Sequence, residues 1–157
     1  MRKVKQMISL SRKSLLALEA VVDVAIHARP DPVQAREITK RQGVPLRYLE
    51  QVMQALVRAN ILRGVRGPRG GYRLARERRR ITVLDIINVI DAFEAQEAGP
   101  PSQSPISQQV IEPLRQRLQH AIEKETGNMT IADLCAMAEQ AAAETPASAD
   151  TNPDFTI

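Results

Sequence analysis

Residues 43–58 read Gly43-Val44-Pro45-Leu46-Arg47-Tyr48-Leu49-Glu50-Gln51-Val52-Met53-Gln54-Ala55-Leu56-Val57-Arg58, and their pattern decides the fold. Leu49, Val52, Met53 and Leu56 recur at i, i+3, i+4 and i+7, the apolar stripe of a helix, while Arg47, Glu50, Gln51, Gln54 and Arg58 share the opposite face. The helix is amphipathic, and its polar face is rich in groups that can bond to bases. Asn60 is its expected stop, because asparagine tolerates the left-handed conformation better than most residues. Upstream, residues 34–42 predict a shorter helix that ends at Gly43. Two short helices joined by the tight turn Gly43-Val44-Pro45 outline a helix-turn-helix. Downstream, residues 61–65 and 71–74 read as short strands, and the turn between them, Arg66-Gly67-Pro68-Arg69-Gly70, is studded with arginines. That is a wing.

Working outward, Leu15, Leu18, Val22, Ala25 and Ile26 predict a largely buried helix over residues 11–28, ended by Pro30. Thr82 and Asp85 stand at capping-box spacing before Ile86, Ile87, Val89 and Ile90, so a helix is expected over residues 83–92. Residues 96–104 have no periodicity and read as linker. Ile111, Leu114, Leu118, Ala121 and Ile122 then form a short coiled-coil-like seam. Pro113 either starts or kinks the seam helix, and the sequence leaves both open. Thr130 and Asp133 cap a last helix to residue 143. The expected fold is mainly α with a small β wing. It comprises a winged helix-turn-helix over residues 1–93, a linker over 94–105, dimerisation and regulatory helices over 106–143, and a disordered tail over 144–157.

The 157 residues suffice for one domain. They are 43% hydrophobic and 25% charged but only 3% aromatic, with no Trp. The core is therefore aliphatic, and an aromatic-rich β-sandwich is disfavoured. One cysteine, Cys135, excludes an internal disulfide, a four-thiolate metal site and an ordinary cluster, and points to a reducing, cytoplasmic setting. The longest apolar stretch, residues 15–26, is too short to span a membrane and is broken by Glu19 and Asp23. The same two acids spoil a signal-peptide reading, although Arg2, Lys3, Lys5, Arg12 and Lys13 imitate a charged leader. Charge is strongly partitioned. Residues 1–81 carry 19 Lys and Arg against 6 Asp and Glu, a net +13, whereas residues 82–157 carry 3 against 12, a net −9. The basic half calls for a polyanion, with nucleic acid ahead of an anionic membrane surface.

The residues at the front of the long amphipathic helix have specific chemistry. The first turns of a recognition helix enter the major groove, which places Arg47, Tyr48, Glu50 and Gln51 against backbone or base edges. Gln51 can pair with adenine and Glu50 can accept from the cytosine amino group, each good bidentate pair being worth about 1 to 3 kcal/mol of discrimination. Tyr48 has two readings of equal weight, packing against the helix or reaching DNA. In the wing, Gly67, Gly70 and Gly71 allow the turn and Pro68 stiffens it, holding Arg66 and Arg69 forward for phosphates or a narrow minor groove. Arg76, Arg78, Arg79 and Arg80 add non-specific attraction. The glycine-rich loop lacks the Gly-Lys-Ser/Thr of a nucleotide-phosphate cradle. Cys135 reads as a small buried apolar residue, Met53, Met129 and Met137 as core fillers, and His27 and His120 as isolated. The seam residues Ile111, Leu114, Leu118 and Ile122 need a partner to bury them, and a second copy is the simplest.

The run from Gly43 to Gln51, followed by Val65-Arg66-Gly67-Pro68-Arg69-Gly70-Gly71-Tyr72-Arg73-Leu74, closely resembles the signature of a bacterial winged-helix repressor family. Its members include the iron-sulfur cluster regulator IscR, the nitric-oxide sensor NsrR and the cysteine-metabolism repressor CymR. The resemblance extends over residues 10–134 and includes Asp23-Val24-Ala25, Pro32-Val33 and Thr130-Ile131-Ala132-Asp133-Leu134. It implies a homodimeric repressor that binds double-stranded DNA at a palindromic operator. Cluster-binding members carry three cysteines after the winged domain, but residues 94–111 here contain neither Cys nor His. The resemblance is therefore to the cluster-free branch, with no metal and no cofactor. Control by a small-molecule effector or a metabolic enzyme follows by likeness to the cysteine repressor. Three departures stand out: Ser14-Leu15-Leu16 where the family has Gly-Arg-Tyr, Asn60 for a glycine, and an insertion at residues 125–128. The rival reading is a non-specific nucleic-acid-binding protein, against which Glu50 argues because an acid there opposes phosphate attraction. An enzyme is least expected, for want of paired carboxylates, a nucleophile with a base, or a cofactor motif.

Overall fold

Hydroxyl side chains cap the starts of three helices of this chain, and left-handed residues follow the ends of two others. In the computed structural model, which describes residues 10–145, α1 (Arg12–His27) opens on Ser11, whose hydroxyl accepts the Ser14 N–H at 3.1 Å. α2 (Ala35–Gln42) ends at Gly43 with φ 67°, and α3 (Leu46–Arg58) begins after the extended Pro45. Beyond α3, Asn60 takes φ 58°, the left-handed stop its side chain was expected to tolerate. Strands β1 (Leu62–Val65) and β2 (Gly71–Leu74) pair antiparallel, with Leu62 opposite Leu74 and Arg63 opposite Arg73. Val33 adds a third, one-residue rung: its N–H donates to the Tyr72 carbonyl at 3.0 Å and its carbonyl accepts the Tyr72 N–H at 2.8 Å.

After a 3-10 turn at Arg78–Arg80, α4 (Val83–Ala98) and α6 (Ile131–Glu144) each open on a full capping box, Thr82 with Asp85 and Thr130 with Asp133. α5 (Glu112–Thr126) lies between them. α4 overruns its expected end at residue 92, so the linker expected at 94–105 begins only after Ala98. The extra turns are rich in Ala, Glu and Gln, which are good helix formers. They are also tied to α1 by Lys13, which donates to Glu97 at 2.8 Å and sits 4.9 Å from the Phe93 ring centroid. The open question at Pro113 resolves into a third arrangement. A π-helical turn, Ser107–Ile111, precedes α5, and the Glu112 N–H reaches back to the Ser107 carbonyl. The wider turn accommodates a proline that has no N–H to continue the regular ladder, so the chain is already helical before Pro113 and stays so after it.

The core forms around α1, where Ala17, Ala20, Val21 and Val24 are fully buried against α3, α4 and α6. Leu49, Val52, Met53 and Leu56, the stripe read from the sequence, all lie inside it. Residues 106–143 do not behave as one unit. No residue of α5 is buried, whereas Ile131 and Cys135 of α6 join the core of the winged domain. The capping threonines Thr82 and Thr130 form an antiparallel bridge, with Val83 N–H on the Met129 carbonyl at 2.8 Å and Ile131 N–H on the Ile81 carbonyl at 2.9 Å. Backbone pairing of this kind is invisible to side-chain periodicity, so the sequence pattern alone groups α6 with α5. Met129 and Met137 are exposed, contrary to the expectation that they fill the core. The tail expected over 144–157 falls beyond Thr145 almost entirely outside the described residues, as do Arg2, Lys3 and Lys5.

Candidate nucleic-acid interface

Burial of one face of α3 dictates what the other presents. With Leu49, Val52, Met53 and Leu56 in the core, Arg47, Glu50, Gln51 and Gln54 are exposed, and among the described residues none of the four makes a side-chain hydrogen bond or ion pair. Their bonding capacity is therefore open to a ligand. Tyr48 differs: it is half-buried and packed against the core, so its ring seats the helix. Glu50 stands near the root of the wing. Burial first, and then the Glu50 carboxylate, holds the Tyr72 phenol above its ordinary range.

The wing tip is built by backbone constraints. Gly67 has φ 114°, which a side chain rarely permits, and the Gly70 N–H closes the turn on the Gly67 carbonyl at 2.9 Å. Pro68, Arg66 and Arg69 are exposed at this tip. Just after the tip, Gly71 lies so close to the Val33 carbonyl that a Cβ there has no room. Arg47, Glu50 and Gln51 of α3 and Arg66 and Arg69 of the wing are each exposed, on supports fixed by the core and by the Val33 rung.

The expected seam is exposed. Ile111 is 52%, Leu114 50% and Leu118 37% accessible, and Ile122 is half-buried. Ile106 and Val110, on the turns just before α5, are exposed as well.

Several arginines and lysines serve the fold instead. Arg73 donates to the carbonyl of Ala28 at 2.9 Å and to that of Pro30, clamping the α1–α2 connection to the wing. Arg76 reaches the Asn60 carbonyl at 3.2 Å, so it is not part of a freely solvated charge run. Buried Asp23 accepts a two-point contact from Arg41 at 2.8 and 2.6 Å, joining α1 to α2, and this bond holds the Arg41 guanidinium above its usual value. The hydrogen bond with Glu97 does the same for the Lys13 ammonium. In the sequence, the sign of this pair is an acid on a largely apolar helix, and it reads equally well, with Glu19, as a solvated edge.

Comparison with known proteins agrees with this geometry. The model of the Rrf2 family, described as an iron-dependent transcriptional regulator, matches residues 10–137. The HTH-type transcriptional regulator IscR of Xenorhabdus nematophila is 42% identical over 82 residues, covering 52% of this chain and 50% of that protein. The chain thus spans about half the length of the curated relatives it matches. The structure of T. potens IscR superimposes with a TM-score of 0.69 at 33% identity, covering 90% of this chain and 94% of that one. CymR of B. subtilis, the global cysteine regulator, gives 0.64 at 26% identity, covering 83% and 98%.

The iron in the family's description does not fit the residues present. The only cysteine, Cys135, is 1% exposed within the core. Among the described residues no group of three His, Cys, Asp or Glu side chains is placed to hold a metal. None of the described helices is long and apolar enough to cross a membrane. By the extent of the family match and by its fold, the chain belongs to the Rrf2 family of transcriptional regulators.

Proposed function

We propose that this protein is a sequence-specific DNA-binding transcriptional repressor that acts as a homodimer on a palindromic operator. The observation that carries the reading is the outward face of α3. Arg47, Glu50 and Gln51 are exposed and uncommitted there, the apolar face behind them is fully buried, and Arg66 and Arg69 stand at the adjoining wing tip. α3 enters the major groove. Gln51 and Glu50 read bases, Arg47 takes phosphate, and the wing arginines meet the flanking backbone or minor groove, with Gly67 and Pro68 setting their reach. Tyr48 steadies the helix from behind. The exposed face of Ile111, Leu114, Leu118 and Ile122 pairs with its copy, presenting two recognition helices about one helical turn of DNA apart. Control comes from a small effector or a protein partner and not from an iron-sulfur cluster, because the thiolates for one are missing.

The test is selection of genomic DNA fragments by purified protein at physiological salt, repeated with Glu50→Ala and Arg66→Ala. An inverted repeat is expected. Glu50→Ala should relax one position of each half-site, while Arg66→Ala should weaken binding without changing the sequence selected. If no motif emerges and both variants bind like the parent, the protein coats nucleic acid non-specifically and the base-reading assignment is wrong.

A further inference from the structure

A second basic site lies away from α3 and the wing tip. Arg29, Arg63, Arg73, Arg76 and Arg78 ring a cavity of about 280 Å³ between the end of α1, the outer side of the hairpin and the segment after β2. One carboxylate, Glu77, lines it with them. Arg63 and Arg73 stand directly opposite each other on neighbouring strands, a like-charge pairing that opposes sheet formation unless an anion offsets it. Two of the five are already oriented by the fold, Arg73 by the Ala28 and Pro30 carbonyls and Arg76 by Asn60. Among the described residues, the side chains of Arg29, Arg63 and Arg78 make no hydrogen bond or ion pair, which leaves their guanidinium donors available to a ligand.

We propose that this cavity binds a compact phosphate-bearing anion. Guanidinium forks match phosphate oxygens two at a time, and the site is concave, walled by three segments over an apolar floor from α1. Neither Arg47, Glu50 and Gln51 nor residues 66–70 line it, which separates it from the proposed operator-reading surface. A bound anion ties the α1–α2 connection to the wing root and so provides an input to both. The binding itself does not depend on the operator reading.

The test is calorimetric titration of the full chain with inorganic pyrophosphate at physiological salt, with random-sequence duplex DNA titrated in parallel. Saturable binding at one site per protomer is expected. Arg63→Ala and Arg78→Ala remove side chains without partners in the chain, so urea midpoints should hold while pyrophosphate binding weakens about tenfold or more in each. Arg66→Ala at the wing tip should leave it unchanged. The proposal is overturned by the absence of saturable binding, or by an equal loss in Arg66→Ala. It is also overturned if Arg63→Ala and Arg78→Ala weaken only duplex DNA, which would make the cavity a contact for the DNA backbone.

Discussion

Two glycines of the wing hairpin should respond oppositely to the same substitution. At Gly71 an added Cβ would lie 2.6 Å from the Val33 carbonyl carbon and 3.0 Å from the Gln34 nitrogen, and closer still to the Val33 oxygen. All three are backbone atoms, so no side chain can swing aside. Gly71→Ala must push the Val33 rung away, stretching the pair of hydrogen bonds at 3.0 and 2.8 Å that join it to Tyr72. At about 0.5 to 1.5 kcal/mol net for each, the loss is about 1 to 3 kcal/mol, or roughly 3 to 10 °C in melting temperature for a chain of this size. Gly64, on the partner strand, has nothing within 4 Å of its would-be Cβ among the described residues. Gly64→Ala should therefore be neutral or stabilising by up to about 1 kcal/mol, through reduced freedom of the unfolded chain. Urea and thermal unfolding measure both. Operator affinity should fall with Gly71→Ala, because the displaced rung carries the wing and its intact Arg66 and Arg69 with it. Equal stability of Gly71→Ala and the parent, or equal damage from both substitutions, would refute the reasoning.

Three further outcomes follow from the geometry. Leu114→Glu places a charge on a side chain that is 50% exposed in the single chain. A symmetric dimer meets that change twice, so its dissociation constant should rise by at least about a hundredfold in sedimentation experiments, with the helical circular dichroism of the winged domain retained. Asp23→Ala leaves Arg41 without its two-point partner. Because Arg41 is 38% exposed, water compensates in part and the expected cost is about 1 to 2 kcal/mol in urea unfolding. The backbone N–H of Thr130, and then its hydroxyl, hold the Asp133 carboxyl below its ordinary value. Its stabilisation is therefore full above the ordinary aspartate value of about 3.9 and is lost as pH falls through the depressed one. Asp133→Asn should melt below the parent at neutral pH and converge with it only in acid.

What could be read from the sequence was whatever a local pattern determines. The stripe on α3, the left-handed stops at Gly43 and Asn60, both capping boxes and the arginine-tipped wing all follow from interactions within a few residues. The errors lie where distant residues decide. α4 outlasts its apolar periodicity on good helix formers, with Lys13, on another helix, reaching Glu97 and Phe93. α6 belongs to the core through backbone pairing between residues 81–83 and 129–131, which no side-chain spacing announces. The candidate site divides along the same line. Exposure of Arg47, Glu50 and Gln51 was implied by the burial of the alternate face, but the seating of Tyr48 required the neighbouring elements, and the structural duty of Arg73 depends on carbonyls from residues more than forty positions away.

The fastenings at the two ends of α5 offer a means of controlling the proposed dimer without a cluster. α5 itself contributes nothing buried to its own chain, and its length of roughly 22 Å makes it a strut. Before it, α4 is fastened to α1 by Lys13; after it, the Thr82–Thr130 bridge fastens α6 to the start of α4. In the proposed dimer, the placement of α5 sets the separation of the two α3 helices, so loosening either fastening changes operator spacing before it changes folding. Thr130→Val removes the hydroxyl that accepts the Asp133 N–H while keeping side-chain volume, at a cost of about 1 kcal/mol, and so loosens the capped turn that carries the Met129 and Ile131 backbone bonds to residues 81–83. Ile131 and Cys135 should still hold α6 in the core, so the chain remains folded and dimeric. The expected result is a flatter preference among operators whose half-sites are moved apart by single base pairs, read by competition binding. An unchanged spacing preference alongside the expected loss of stability would show that the strut is positioned by the dimer contact alone.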